Sequence, residues 1–193
     1  QMRIEDVQRI QGVWTLRIAD LGPDQRLKNS SSYRLVPLHE EVIQCGFLAY
    51  VARQKVAGHQ RVFPSQLNDN KYKRWSNALG KWYSAYLDSI GLNDERLCYQ
   101  SFRYSFKQQL TICGAEEEVR DSLAGHWLTK EKQKSSRNYL RRDEGQYPFA
   151  PLVAAIRALS YSDLDLSHLY VENPLEGVEI LLAQASLSFK KKV

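Results

Sequence analysis

The chain has 193 residues, 43% hydrophobic and 25% charged, enough length for one well-packed domain and a composition ordinary for a globular protein. Eleven tyrosines and four tryptophans argue against disorder, and no apolar run approaches the roughly 18 residues of a membrane span. Lys and Arg outnumber Asp and Glu by 27 to 22, for a formal net charge of +5 and a pI near 9.1. That mild basic bias fits a polyanionic partner without requiring one.

From the start, QMRIEDV lacks the charged-then-apolar layout of a signal peptide. GVWTLRIAD alternates, with Trp14, Leu16 and Ile18 on one side, and predicts a strand. LGPDQ is turn chemistry, and RLKNSSSYRLVPL returns as a second extended piece, so a small antiparallel sheet is expected near the N-terminus. His39 to Val56 has helical spacing at Val42, Ile43, Phe47, Tyr50 and Val51. A loop with Gly58, Pro64 and Asn68 follows.

Between Lys71 and Gly91 the residues Trp75, Leu79, Trp82, Tyr83, Tyr86, Leu87 and Ile90 recur at three and four, which predicts an amphipathic helix with a buried aromatic stripe. Ser101 is a candidate cap for a helix burying Phe102, Phe106, Leu110 and Cys113, with Gly114 as its stop. Glu116, Glu117 and Glu118 open the next helix, where acids complement the dipole, and Val119 and Leu123 anchor it. Pro148 starts a helix through Leu159. A last amphipathic stretch from Pro174 to Leu187 precedes the basic tail Lys190, Lys191 and Lys192. The expected fold is mainly α with a small antiparallel β-sheet, α+β in class.

Three widely spaced cysteines, Cys45, Cys98 and Cys113, with no CxxC pair, argue against a disulfide framework or structural zinc and predict a reducing, cytoplasmic setting. HExxH, the glycine-rich phosphate loop of NTPases and GxSxG are all missing, which removes the common hydrolase readings.

Taken singly, the polar residues around Gln100 to His126 have plain explanations. Arg103 lies one position round from an apolar stripe and reads as a boundary arginine. His126, just past a helix end, can interact with the dipole there. Tyr139 follows the charged run KEKQKSSRN, which alone is a solvated face. LTICGAEEEV as a major-groove helix–turn–helix is poor, because three glutamates would repel phosphates.

Together they are more specific. RYSF at Arg103, LAGH ending at His126 and a tyrosine shortly beyond resemble the catalytic end of the tyrosine recombinases, the phage integrase family. QMRIEDV with GVWTLRI is similar to that family's entry to its sheet, RLKNSSSYRLVPLH to its lysine-bearing hairpin, and ALSYSDLDLSHL to endings in one integrase subgroup. The resemblance covers residues 1–171, as a catalytic domain of the DNA breaking-rejoining type. Residues 172–193 would be a C-terminal helical extension and basic tail, packed on its own domain or docked on a neighbouring protomer.

The resemblance implies site-specific DNA recombination, integrating and excising a phage or genomic island, with no cofactor and no metal. Tyr139 would attack the scissile phosphate to give a 3′-phosphotyrosyl link and expel a 5′-hydroxyl. Arg103 and His126 would donate to the phosphate and Lys28 would protonate the leaving oxygen. Cationic donors suit a phosphorane carrying extra negative charge, and the planar fork of arginine meets two phosphate oxygens at once. Tyr139 stands thirteen residues after His126, a few more than the family's usual gap. The rival Tyr147 precedes Pro148 in a YP pair that the family places after its nucleophile. Lys130, Lys132, Lys134, Arg137, Arg141 and Arg142 around Tyr139 would run along DNA phosphates. The implied partner is double-stranded attachment-site DNA, bound by a homotetramer.

Two departures weigh against full activity. Gln100 stands where the family has a histidine, and glutamine cannot accept a proton. The family's first catalytic arginine would precede QMRIEDV, so the expectation is a fragment cut just inside the catalytic domain and crippled in cleavage. The competing expectation is a degenerate recombinase fold that binds DNA or other protomers without cutting.

Overall fold

The computed structural model describes residues 1–27, 32–65, 76–94, 96–125 and 148–182. Its sheet begins at a tight hairpin. Gln11 and Gly12 both have positive φ, 48° and 81°, the two-residue turn whose twist matches that of the flanking strands. It joins β1 (Val7–Ile10) to β2 (Val13–Ile18), and β3 (Arg34–Pro37) pairs antiparallel on the other edge of β2. β2 and β3 fall where alternation predicts strands. β1 does not announce itself, because VQRI carries two long polar residues in four and its hairpin partner supplies the order. Residue pairing sets Val7, Leu16 and Val36 in one apolar row across the sheet.

Before β1, the short 3-10 turn Ile4–Asp6 buries a carboxylate. Asp6 is tolerated there because its oxygens are occupied: the Arg3 N–H donates to it at 2.9 Å, Gln25 Nε2 at 2.7 Å, and the Arg17 guanidinium at 3.3 Å. Asp24 similarly accepts from Arg3 and Arg61, and the Arg61 guanidinium is the main cause of its carboxyl lying below the usual range.

The helices are α1 (Glu40–Gln44), α2 (Phe47–Val56), α3 (Asn77–Ser89), α4 (Ser101–Ile112), α5 (Glu117–Ala124) and α6 (Phe149–Ala158), followed by a 3-10 turn at Ser167–Leu169. The fold is therefore a set of helices with a small three-stranded antiparallel sheet. Among the described residues, no helix is long and apolar enough to cross a membrane.

Two apolar clusters hold these elements. The first gathers Val7 and Trp14 from the sheet, Leu48 and Val51 from α2, Val62, and Leu181. The second gathers Leu110 of α4, Val119 and Leu123 of α5, and Leu152 and Ile156 of α6, with Val36 of β3 packed against it.

Several expectations need correction. The single helix expected from His39 to Val56 is broken at Gly46, whose φ is +80°. A Cβ there would lie 2.8 Å from Val171 Cγ2, so the glycine both turns the chain and admits segment 159–173. That segment is tied across α1 by the Val171 N–H to the Gln44 carbonyl at 3.0 Å and Tyr170 Oη to Glu41 at 2.7 Å. The Glu41 carboxylate is the main reason the Tyr170 hydroxyl is pushed up to about 12.

The aromatic stripe of α3 is not core. Trp82 is 60% exposed and Tyr86 46% exposed, and Leu87 is the buried residue of the helix. Trp82 stacks on Tyr86 with centroids 5.5 Å apart, while Tyr83, Tyr99 and Phe102 form an edge-on trio at the start of α4. Aromatics at helical spacing bury only where another layer covers them, and here they cover one another.

Ser101 is inside α4 rather than capping it. Gln100 is the N-cap residue, and Ser101 Oγ accepts from the Cys98 N–H at 3.1 Å. Phe102 is 58% exposed, so Leu110, fully buried, anchors that helix. In the last stretch Leu175 is exposed and Leu181 is buried.

Candidate active site

Gln100 and Arg103 sit at the N-cap and third residue of α4. Residues three apart on a helix are surface neighbours, so both side chains leave from one face. The Arg103 N–H donates to the Gln100 carbonyl at 3.0 Å.

From α4, Arg103 reaches to the end of α5, where its Nη2 donates to the Ala124 carbonyl. The last carbonyls of a helix have no partner within it and form the negative end of its dipole, so a cation is favoured there. A second guanidinium arrives at the same place from the sheet. Arg34 of β3 donates from Nε to the Leu123 carbonyl at 3.1 Å and from Nη1 to the Ser32 carbonyl at 2.9 Å. Strand alternation puts Arg34 on the same face as Val36, and that face packs against the second cluster and α5.

Gly125 closes α5 in the left-handed conformation, with φ of 66°. A Cβ on it would lie 2.5 Å from Arg34 Nη1 and 2.8 Å from Cζ. The glycine of LAGH thus answers two demands, a left-handed stop and room for a guanidinium laid over the backbone.

Burial pulls the Arg34 guanidinium below its ordinary proton affinity, and the positive charge of Arg103 adds to this. Arginine nonetheless stays charged at neutral pH. Two cations are therefore held within each other's field at one helix end, each donating to a carbonyl there. The platform beneath them is tied together: Lys107 of α4 pairs with Asp121 of α5 at 2.8 Å, Arg120 of α5 donates to Thr111 of α4, and α6 packs behind α5.

Of the residues expected at the site, Arg103 is brought to this end of α5, while Gln100 is exposed at the N-cap of α4. Lys28, His126 and Tyr139 lie outside the described residues, as do Lys130, Lys132, Lys134, Arg137, Arg141, Arg142 and the rival Tyr147. In the chain, Lys28 stands four residues before Ser32, and His126 follows Gly125 directly. Arg34 is the residue that sequence reading passed over, although the alternation of RLVP turns it to the apolar face.

A cleft of about 710 Å³ lies elsewhere, between α2 and segment 166–176. It shares no residue with the arginine pair, and Glu41, Glu172 and Glu176 in its wall outnumber Arg53. Size alone does not make it the phosphate site, because its charge has the wrong sign.

No family model matches the chain, and neither a similar curated protein nor a similar solved structure is found.

Proposed function

We propose that this chain is the catalytic part of a tyrosine-type site-specific DNA recombinase, of the kind that integrates and excises a phage or genomic island. One observation carries the reading. Arg103, placed by motif as a phosphate donor, is hung on the end of α5 beside a second guanidinium, directly before the residue expected to be the histidine donor. Preorganised cations of this kind stabilise the charge that develops on a phosphorus under attack.

In the proposed reaction the Tyr139 oxygen attacks phosphorus and the P–O5′ bond breaks. The tyrosine proton is lost to water or a neighbouring base, and Lys28 gives a proton to the departing 5′-oxygen. The phosphodiester energy is kept in the 3′-phosphotyrosyl link, so the 5′-hydroxyl of another strand reverses the step without cofactor. Lys130, Lys132, Lys134, Arg137, Arg141 and Arg142 would hold the flanking backbone, and a homotetramer on double-stranded attachment DNA would exchange the strands.

A second reading is favoured by Gln100. A glutamine at the usual histidine position removes a general base, a loss worth about 10²–10⁴-fold, and points to a related fold that binds DNA without cutting. The test is a nicked suicide substrate bearing the attachment core, offered to the chain. A covalent protein–DNA adduct on a denaturing gel supports the recombinase. Bound DNA with no adduct, even in Gln100→His, supports the non-cutting reading.

A further inference from the structure

We propose that Arg34 is a positioning residue for Arg103: it fixes the end of α5, and with it the carbonyl from which the Arg103 guanidinium is hung. The catalytic consequence rests on the recombinase reading; the positioning itself does not.

Arg34 bridges two pieces of chain, the segment entering β3 and the end of α5. Its own backbone belongs to β3, its Nε holds the Leu123 carbonyl, and its Nη1 holds the Ser32 carbonyl. Leu123 and Ala124 are consecutive, so fixing one peptide at the end of α5 fixes the direction of the next carbonyl, the acceptor of Arg103. The guanidinium also lies over Gly125 at a separation that no side chain there would permit. The last turn of α5 is thus clamped from the sheet side by Arg34 and approached from the α4 side by Arg103.

The choice of arginine follows from this geometry. Reaching carbonyls of residues 123 and 32 from one side chain needs a planar fork with several fixed donors, which a lysine ammonium does not supply. A like charge beside Arg103 is electrostatically unfavourable, so a site needing only a helix-end cation would do better with Arg103 alone. A second arginine is accounted for by what it holds.

The test compares Arg34→Gln and Arg34→Lys with the unchanged chain. First, rotation of the Arg103 guanidinium about its Nε–Cζ bond is followed by nitrogen-15 NMR at a temperature where melting curves show each variant folded. Faster rotation of Arg103 in both variants is expected, and an unchanged Arg103 signal overturns the positioning role whatever the chemistry.

Second, adduct formation on the nicked substrate is timed. A fall of about 10²-fold is expected for both variants, since misplacement of a reacting group by an ångström costs that much. The salt dependence of DNA affinity should stay unchanged in Arg34→Gln. A loss of about 0.9 in its log–log slope would make Arg34 a phosphate contact instead. Full recovery of the rate by Arg34→Lys would show that charge alone matters and overturn the proposal. Absence of any adduct in both the unchanged chain and Gln100→His would sink the recombinase reading and leave the rotation measurement to decide the role of Arg34.

Discussion

Arg103 meets the end of α5 through Nη2, and a guanidinium has five N–H donors in a fixed fork. Holding one edge of the fork on a helix carbonyl sets the plane of the whole guanidinium. Arg103→Gln is expected to slow adduct formation by about 10²–10³-fold, the usual consequence of losing one transition-state donor, measured as single-turnover cleavage. One turn earlier, Gln100→His should speed the same step by about 10²-fold or more if no other base serves the tyrosine. An unchanged rate would mean that proton removal is supplied elsewhere. Far from this end, Tyr170 gives a pH effect whose sign follows from its hydroxyl. Its pKa is raised from 10.0 to about 12 by the bond to Glu41, so the folded state keeps a proton that the unfolded chain releases. The stabilisation is complete below pH 10 and is lost as pH rises through 12. Thermal melts should show a decline across that window that is shallower in Tyr170→Phe.

At the scale of elements, the helix–sheet junctions decide which parts of the sequence could be read in advance. α5 and α6 are legible because their apolar residues face a continuous cluster and their ends carry ordinary stop and start signals: Gly114 before Glu116 to Glu118, Gly125 after Ala124, and Pro148 before Phe149. The break at Gly46 was hidden, since apolar spacing continues through it and its cause, Val171, lies 125 positions further along the chain. The aromatics of α3 misled because spacing reports amphipathicity and not what covers the face. Arg34 was obscured in a similar way: alternation gives its face, but its partner at 123 lies 89 positions away and belongs to tertiary structure. Gly46→Ala is expected to lower stability by about 1–3 kcal/mol, from a left-handed φ forced on a residue with a Cβ and from collision with Val171. Leu110→Ala, at the fully buried centre of the second cluster, should lose about 2–5 kcal/mol. Chemical denaturation checks both, and the second should also weaken the platform under Arg103.

For the whole molecule, the first cluster links the beginning of the chain to its end. Leu181 is 5% exposed among Val7, Trp14, Leu48 and Val51, and Lys55 Nζ donates to the Ile180 carbonyl. Removing residues after Val171 is therefore expected to destabilise the fold, as a drop in melting temperature, before it changes any association between protomers. The basic run from Lys130 to Arg142 is expected to contribute salt-dependent DNA affinity, about 0.9 in log–log slope for each phosphate neutralised. Substituting those six side chains together should flatten that slope.

The recombinase reading stands or falls on where the covalent bond forms. The most direct measurement is to trap the chain on a nicked attachment-core substrate, digest the adduct and find by mass spectrometry the peptide that retains nucleotide. Nucleotide on Tyr139, lost in Tyr139→Phe and retained in Tyr147→Phe, is the predicted result. An adduct on any other residue, or none in a chain that binds the DNA, would contradict it.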